Sequence, residues 1–345
     1  MHWRLGRLRL GRLAAVCAVI VLCAPGTWLR SDPLTRLSED ITLRPIAPPA
    51  ATEQPQWQVE GVWQLSGARG GKFGGYSALL AHDDGRLQTF ADRGYRLSFS
   101  DPALVSDRAA DGASGWRAQA AEQPNPSAAM AEDLWDIEAA TRDPATGKYW
   151  LAYEYVHTIQ RFTAAGEPDG LRALGPAFNW PINRGLEAMV RLADGRFLAI
   201  PEGRAEALIF DDDPVAGGAP QRIGFASPAP DYAVTDMTQL DDGRIVLLMR
   251  KVAWGFPPFS TLLAIGDPPQ MDTNGGSGAW SAHITLRLDG VVPRENYEGM
   301  AARGLDDGRY QIWLISDDNI AAIERTLLVK LILDPALEPA AQSAN

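Results

Sequence analysis

One pattern recurs five times along the chain, and no other feature restricts the fold as much. The copies are SALLAHDDGRLQTFAD at residues 77–92, EAATRDPATGKYWLAYE at 138–154, EAMVRLADGRFLAIPE at 187–202, DMTQLDDGRIVLLMR at 236–250 and EGMAARGLDDGRYQIWLISD at 298–317. Each runs from a polar start through small apolar residues to a turn, then a basic residue, an apolar run and a charged end. The turns are Asp84-Gly85, Thr146-Gly147, Asp194-Gly195, Asp242-Gly243 and Asp307-Gly308. Asp-Gly between apolar runs is the strongest short-range hairpin signal, and a type I′ turn with φ > 0 at both central residues is expected. The runs after the turns, such as 245–249 and 312–315, are too short for helices. Their β-branched and aromatic content reads as strands covered on both faces.

The copies start at 77, 138, 187, 236 and 298, so their spacings are 61, 49, 49 and 62 residues. Hairpins at a period near fifty indicate a β-propeller with one sheet per repeat. A β-sandwich gives no equal period, and a β-helix has much shorter rungs. Third and fourth strands fit between the motifs, as at 207–210 and 221–225, and unassigned strands remain at both ends, 57–65 and 326–333. Pairing those two in a shared blade closes the ring and removes exposed sheet edges. The expected fold is therefore all-β, a single propeller over residues 57–334. Five blades are legible, with room for a sixth in either long gap.

The N-terminus reads differently. Arg4, Arg7, Arg9 and Arg12 precede a twelve-residue apolar run at 13–24, followed by Pro25-Gly26. A membrane span needs about 20 apolar residues, so this is the shape of a secretory signal over residues 1–26. Left uncut, it would anchor the protein in the inner membrane. Residues 27–56, with five prolines from Pro33 to Pro55, read as an exposed tether, and 335–345 as a tail. A periplasmic or secreted monomer is expected. Both cysteines, Cys17 and Cys23, fall inside the signal, which leaves no thiol for a disulfide, a metal or a nucleophile. The whole chain carries a net charge of −11, and losing four Arg of the 32 bases against 43 acids makes it more negative, so a nucleic-acid surface is excluded.

Propeller geometry gathers the motif ends. The first strand of each blade lines the channel and the second returns antiparallel, so the start of one and the finish of the other meet at one channel mouth. The pairs are Ser77 with Asp92, Glu138 with Glu154, Glu187 with Glu202, Asp236 with Arg250, and Glu298 with Asp317. Eight of these ten positions are carboxylates, where 43 acids in 345 residues predict about one. Carboxylates ~5 Å apart at an effective dielectric of ~20 repel by about 3 kcal/mol per pair. A bound cation, bound protons or neighbouring bases must relieve that. Ca²⁺ suits the pattern, since it takes about six to eight oxygens in flexible geometry, whereas four histidines in the chain argue against zinc. The candidate metal ligands are Glu138, Glu154, Glu187, Glu202, Asp236, Glu298 and Asp317. Acids at repeated strand ends also accept hydrogen bonds from the next blade's backbone, so individual residues divide between these roles. Arg93, Arg184, Arg250 and Lys251 stand beside the ring as candidates to bind an anionic substrate group.

Other features are less specific. His157 follows Glu154 closely enough to reach the mouth and is a catalytic candidate beside Glu138, Glu187 and Glu298, with a structural or surface role as the alternative. The glycine-rich stretch 67–75 lacks the Ser/Thr after Lys72 and the helix that phosphate cradling requires. Trp254-Gly-Phe-Pro-Pro-Phe259 reads as an aromatic loop over a blade, suited to ligand contact or to packing. No Gly-x-Ser-x-Gly elbow and no Gly-x-Gly-x-x-Gly loop occurs.

Glu187-Ala-Met with Asp194-Gly-Arg-Phe-Leu-Ala-Ile-Pro-Glu202, Asn296-Tyr-Glu-Gly-Met300, Leu314-Ile-Ser-Asp-Asp-Asn319, Phe73-Gly-Gly-Tyr-Ser77 and Asp92-Arg-Gly94 together resemble the exported bacterial family described as esterase-like activity of phytase. The resemblance spans about residues 57–334. It implies an exported propeller with esterase or phosphoesterase activity, but carries no nucleophile, so Glu138, Glu187, Glu298 and Asp317 are shared motif acids. The chain departs from its own pattern at Ser77 and Arg250, which makes one side of the mouth less acidic. Two functions follow. One is a divalent-cation-dependent hydrolase of small anionic phosphate or carboxylic esters. The other is a non-catalytic periplasmic propeller that binds a ligand or partner over the channel.

Overall fold

The structure is a computed structural model that describes residues 41–46, 51–67, 73–104, 119–122, 134, 136–174, 178, 180–181, 184–270, 278–319 and 324–338. The expected signal, the tether up to residue 40 and the tail from 339 lie outside these residues. Five sheets form five propeller blades. From the channel outward, blade 1 contains Tyr76–Ala81, Arg86–Ala91, Tyr95–Ser100 and Gln119–Glu122. Blade 2 contains Ile137–Arg142, Tyr149–Tyr153, Thr158–Phe162 and Pro168–Ala173. Blade 3 begins with Leu186–Arg191 and Phe197–Pro201, blade 4 with Ala233–Gln239 and Ile245–Val252, and blade 5 with Asn296–Gly304 and Tyr310–Asp317. The ring closes as the terminal strands predicted, with Leu327–Leu333 paired antiparallel to both Tyr310–Asp317 and Trp57–Ser66.

Among the described residues the long gaps form no sixth blade. Part of one supplies the outer strand of blade 1, and part of the other sends Trp280–Ser281 across to lie parallel to Gln221–Ala226 at the outer edge of blade 3. The tether expectation also needs correcting. Thr42–Pro45 pairs with Ser66–Trp63 as a fifth strand of blade 5, because Ile41 and Leu43 find buried places between blades 5 and 1.

The hairpins form where expected, by a different turn. In blade 3, the Gly195 N–H donates to Leu192 O and the Leu192 N–H to Arg196 O. Blades 1, 4 and 5 repeat this arrangement. Glycine alone takes the left-handed conformation, with φ of 82, 71, 96, 92 and 83° at Gly85, Gly147, Gly195, Gly243 and Gly308. The preceding Asp keeps φ negative, and its side chain accepts the N–H of the following Arg at 3.0–3.1 Å in four blades. This is a type I turn ended by a left-handed residue, which the two-residue type I′ reading did not anticipate.

Between the blades lie five separate apolar clusters, one at each interface. The cluster between blades 4 and 5 has Leu248, Leu263, Ile312 and Leu331, and that between blades 1 and 2 has Phe90, Ile137, Tyr149 and Phe162. Each second strand is buried on both faces, as its unbroken apolar sequence requires. A charged pair, Lys330 with Asp101, is enclosed beside them. Lys330 lies between blades 5 and 1, its Nζ 2.9 Å from Asp101 and 3.2 Å from Glu60 and over the Trp313 ring.

Candidate functional site at the acidic channel mouth

Each inner strand carries the same irregularity at the same place. Pairing with the second strand skips one residue: Ser77, Glu138, Glu187, Thr235 and Glu298. A bulge of this kind breaks the ladder and re-aims one side chain. In blades 2, 3 and 5 the skipped residue is a glutamate, and these three feel one another's charge across the channel. The glutamate positions therefore depend on a local backbone device that occurs five times.

Second-strand ends supply the rest. Backbone bonds from the Glu154 N–H to Asp136 O and from the Glu202 N–H to Gly185 O hold those acids beside the bulges at 2.8 and 3.0 Å. Single oxygens of Asp136, Glu138 and Glu154 lie within 4.8 Å of one another, and so do those of Glu154, Glu187 and Glu202. Glu154 thus belongs to two overlapping triads. Asp136 hydrogen-bonds the carboxyls of both Glu138 and Glu154.

Burial is the main influence on seven of these acids, Asp92, Asp136, Glu138, Glu154, Glu187, Glu298 and Asp317. It raises the pKa of Glu138 and Glu187 well above the ordinary carboxyl range, and the neighbouring glutamates raise it further. Glu154 is pushed up to about 7 by burial, Asp136 and Glu202. Asp92 is also pushed up to about 7, by burial with Asp136 and Glu298, against the opposing pull of Arg93. Asp317 is raised well above its usual value by burial, Glu298 and Asp92, and its Oδ1 accepts the Asn319 N–H. Glu298 is raised as well, although Arg250 opposes this. Arg250 Nη2 is 3.2 Å from Glu298 Oε1, Asn296 Nδ2 donates at 3.0 Å, and Ser77 also hydrogen-bonds this carboxyl. The departures at Ser77 and Arg250 thus have a role: both serve Glu298.

The residues predicted from sequence divide on inspection. Glu138, Glu154, Glu187 and Glu202 come together in the triads, with Glu298 and Asp317 in electrostatic contact beside them. Asp236 does not join. It lies one residue beyond the bulge, fully buried, and accepts the N–H groups of Met237 and Met300 at 2.7 and 2.6 Å, which ties blade 4 to blade 5. His157 packs its ring edge-on against Trp180, with centroids 5.6 Å apart. Arg93 donates to Phe73 O and lies 3.8 Å from Asp92, while Arg184, largely exposed, is 3.7 Å from Glu202. Lys251 turns away to Asp231, 2.6 Å distant, and lies over the Tyr232 ring.

Three participants were missed. Asp136 stands two residues before Glu138, where the other copies have Gly75, Gly185, Ala233 and Asn296. Aligning the copies from that position would have flagged it. Asp318 is buried and accepts the Gly75 N–H at 3.1 Å. Gly75 itself, at φ 73°, approaches the acids so closely that a Cβ would lie 2.2 Å from Asp92 Oδ1.

These features define a five-bladed propeller with a crowded carboxylate mouth. The family model described as esterase-like activity of phytase matches residues 71–320, and the chain belongs to this phytase-like family. Comparison with curated proteins finds no match. Among solved structures the chain is similar to a streptogramin B lyase at 11% identity and TM-score 0.38, covering 86% of this chain and 98% of that one. It is also similar to an endo-arabinase from Bacteroides thetaiotaomicron, at 11% identity and TM-score 0.47, covering 75% and 94%. A third is a luciferin-regenerating enzyme, at 10% identity and TM-score 0.39, covering 75% and 92%. Among the described residues no helix is long and apolar enough to cross a membrane.

Proposed function

We propose that the mouth holds a divalent cation, with Ca²⁺ the best fit, and that it hydrolyses small phosphate or carboxylic esters. The observation that carries this reading is the pair of carboxylate triads sharing Glu154, each with its oxygens within 4.8 Å. The donor set fits a hard ion, since it is all oxygen, and burial together with the charge of neighbouring acids raises the pKa of Glu138, Glu154 and Glu187. Asp136, Glu138, Glu154, Glu187 and Glu202 would hold the ion. When bound, it supplies positive charge that polarises an ester oxygen and acidifies water. Glu298 is placed to hold or move a proton, because Arg250, Asn296 and Ser77 fix its carboxyl. Arg184, the most exposed of the nearby bases, suits an anionic substrate group. The basic and apolar N-terminus supports export to the periplasm or beyond.

The test is a panel of nitrophenyl phosphates and esters with Ca²⁺, with and without chelator, on the wild type and on the double variant Glu187→Gln, Glu298→Gln. Hydrolysis lost with chelator and in the folded variant supports the reading. A Ca²⁺-dependent rise in melting temperature without turnover would instead leave a ligand-binding propeller. Neither turnover nor a Ca²⁺ effect on melting would remove the cation as well.

A further inference from the structure

Four of the five large apolar side chains exposed among the described residues stand on one face. Tyr155, Val252, Trp254 and Phe256 are 41, 77, 100 and 71% exposed, and the fifth, Leu337, is near the C-terminal end. All four belong to connections between a second and a third blade strand, or to the strand end that enters one. Tyr155 lies between Tyr149–Tyr153 and Thr158–Phe162, and the other three lie between the middle of Ile245–Val252 and the start of Phe259–Gly266. These connections leave from the strand ends that carry Glu154 and Arg250, so the apolar groups rise on the same side as the acids. Trp254 is four residues beyond Arg250, at most about 14 Å along the chain.

The loop is also held in position. Arg294 Nη1 donates to Trp254 O at 2.7 Å, and its Nε donates to Asp289 Oδ1 at 3.1 Å. Beneath the base of the loop, Arg250 lies over the Phe259 ring at 5.5 Å while its Nη2 touches Glu298. A propped loop with a bare indole and a bare phenyl ring retains its apolar surface at a cost in hydration, and such patches mark sites of contact.

Charge complementarity selects the occupant. A second copy docked on this face would bring two carboxylate mouths together, and a bilayer would spread many anionic head groups over the whole ring, including the acids Asp92, Glu298 and Asp317 outside the two triads. A small ligand presents a single head group, which one cation in the mouth can neutralise, while its apolar end lies against the loop. We propose that the 252–258 loop is an apolar subsite of the mouth, receiving the alkyl or aryl group of an amphiphilic ester whose head group sits at the carboxylates. This rests on the reading of the mouth as a cation-assisted ligand site and does not require turnover.

The probe is a series of alkyl phosphates from ethyl to octyl, used below their aggregation concentrations with Ca²⁺, and the readout is calorimetric binding. Wild-type affinity should rise with chain length, by up to about fourfold for each methylene buried. In Trp254→Ser, Phe256→Ser the rise should flatten, while ethyl phosphate binds as in the wild type. Both side chains are exposed, so folding should persist, and thermal melting checks that. A Val252→Ser variant provides a second, milder reading of the same slope. No dependence on chain length in the wild type overturns the subsite, and so does an equal slope in the variants. Loop-dependent pelleting with phosphatidylcholine vesicles, or loop-dependent dimerisation in sedimentation, with no slope also overturns it. Chain-length-dependent binding with no hydrolysis of any ester would refute the hydrolase and leave the subsite standing.

Discussion

Glu187→Gln should make the cation-free protein more stable and less able to respond to Ca²⁺. Glu187 has an oxygen within 4.8 Å of oxygens on both Glu154 and Glu202. At that separation and an effective dielectric of ~20, two ionised carboxylates repel by about 3.5 kcal/mol. Full repulsion is not reached, because burial and the neighbouring acids keep these groups partly protonated. The amide should therefore recover about 2–3 kcal/mol at pH 8, of which the raised pKa accounts for the shortfall. For a propeller of this size that is a rise of about 3–5 °C in melting temperature. The assay is thermal unfolding followed by circular dichroism, in chelator and in a series of Ca²⁺ concentrations. Wild-type protein at a hundredfold excess over its dissociation constant should gain about 2.7 kcal/mol, and the variant much less. A variant that is destabilised without Ca²⁺ and responds fully to it would refute the reasoning, and would assign Glu187 to the scaffold.

Other consequences can be measured directly. Asp92 and Glu154 both have folded pKa values near 7, above their ordinary range, so the native state binds more protons than the unfolded chain between about pH 4 and 7. Stability in chelator should therefore fall as pH rises through that window, and melting temperatures that climb from pH 5 to 8 would contradict it. Lys330→Met leaves Asp101 buried without its ammonium partner and should cost about 3–5 kcal/mol in denaturant unfolding, much of it recovered in Lys330→Met, Asp101→Leu. A single-variant loss below 1 kcal/mol would show the pair to be dispensable. Gly75→Ala adds a Cβ at φ 73° and 2.2 Å from Asp92 Oδ1, so it should destabilise by about 1–3 kcal/mol and weaken the Ca²⁺ response, both read from the same melts.

The propeller was legible because its evidence is local and repeated. A turn glycine, a basic residue after it and an unbroken apolar run specify a hairpin within about fifteen residues, and five copies at near-equal spacing then require a ring. Closure followed from two unpaired terminal strands, and the crowding of acids followed from blade geometry without any side-chain positions. Six of the seven metal-ligand candidates, Glu138, Glu154, Glu187, Glu202, Glu298 and Asp317, reach the same mouth for that reason.

The rest depended on contacts between residues far apart in the chain. Asp236 matched the motif by letter, but the bulge in blade 4 falls at Thr235, and its neighbour's carboxylate is occupied by backbone of blade 5. Asp136 was hidden because the residues at that place in the other copies are uncharged, and only the folded backbone puts its carboxyl between Glu138 and Glu154. Residues 42–45 read as tether because four residues show no useful period, yet the open edge of blade 5 and an apolar gap beside blade 1 make them a strand. Repetition in the sequence by itself determined the ring and the face on which its acids gather, since both follow from local propensity and period. Tertiary structure decided which acids face one another and which bond to backbone, because a one-residue bulge redirects a side chain and the partners that receive it come from another blade.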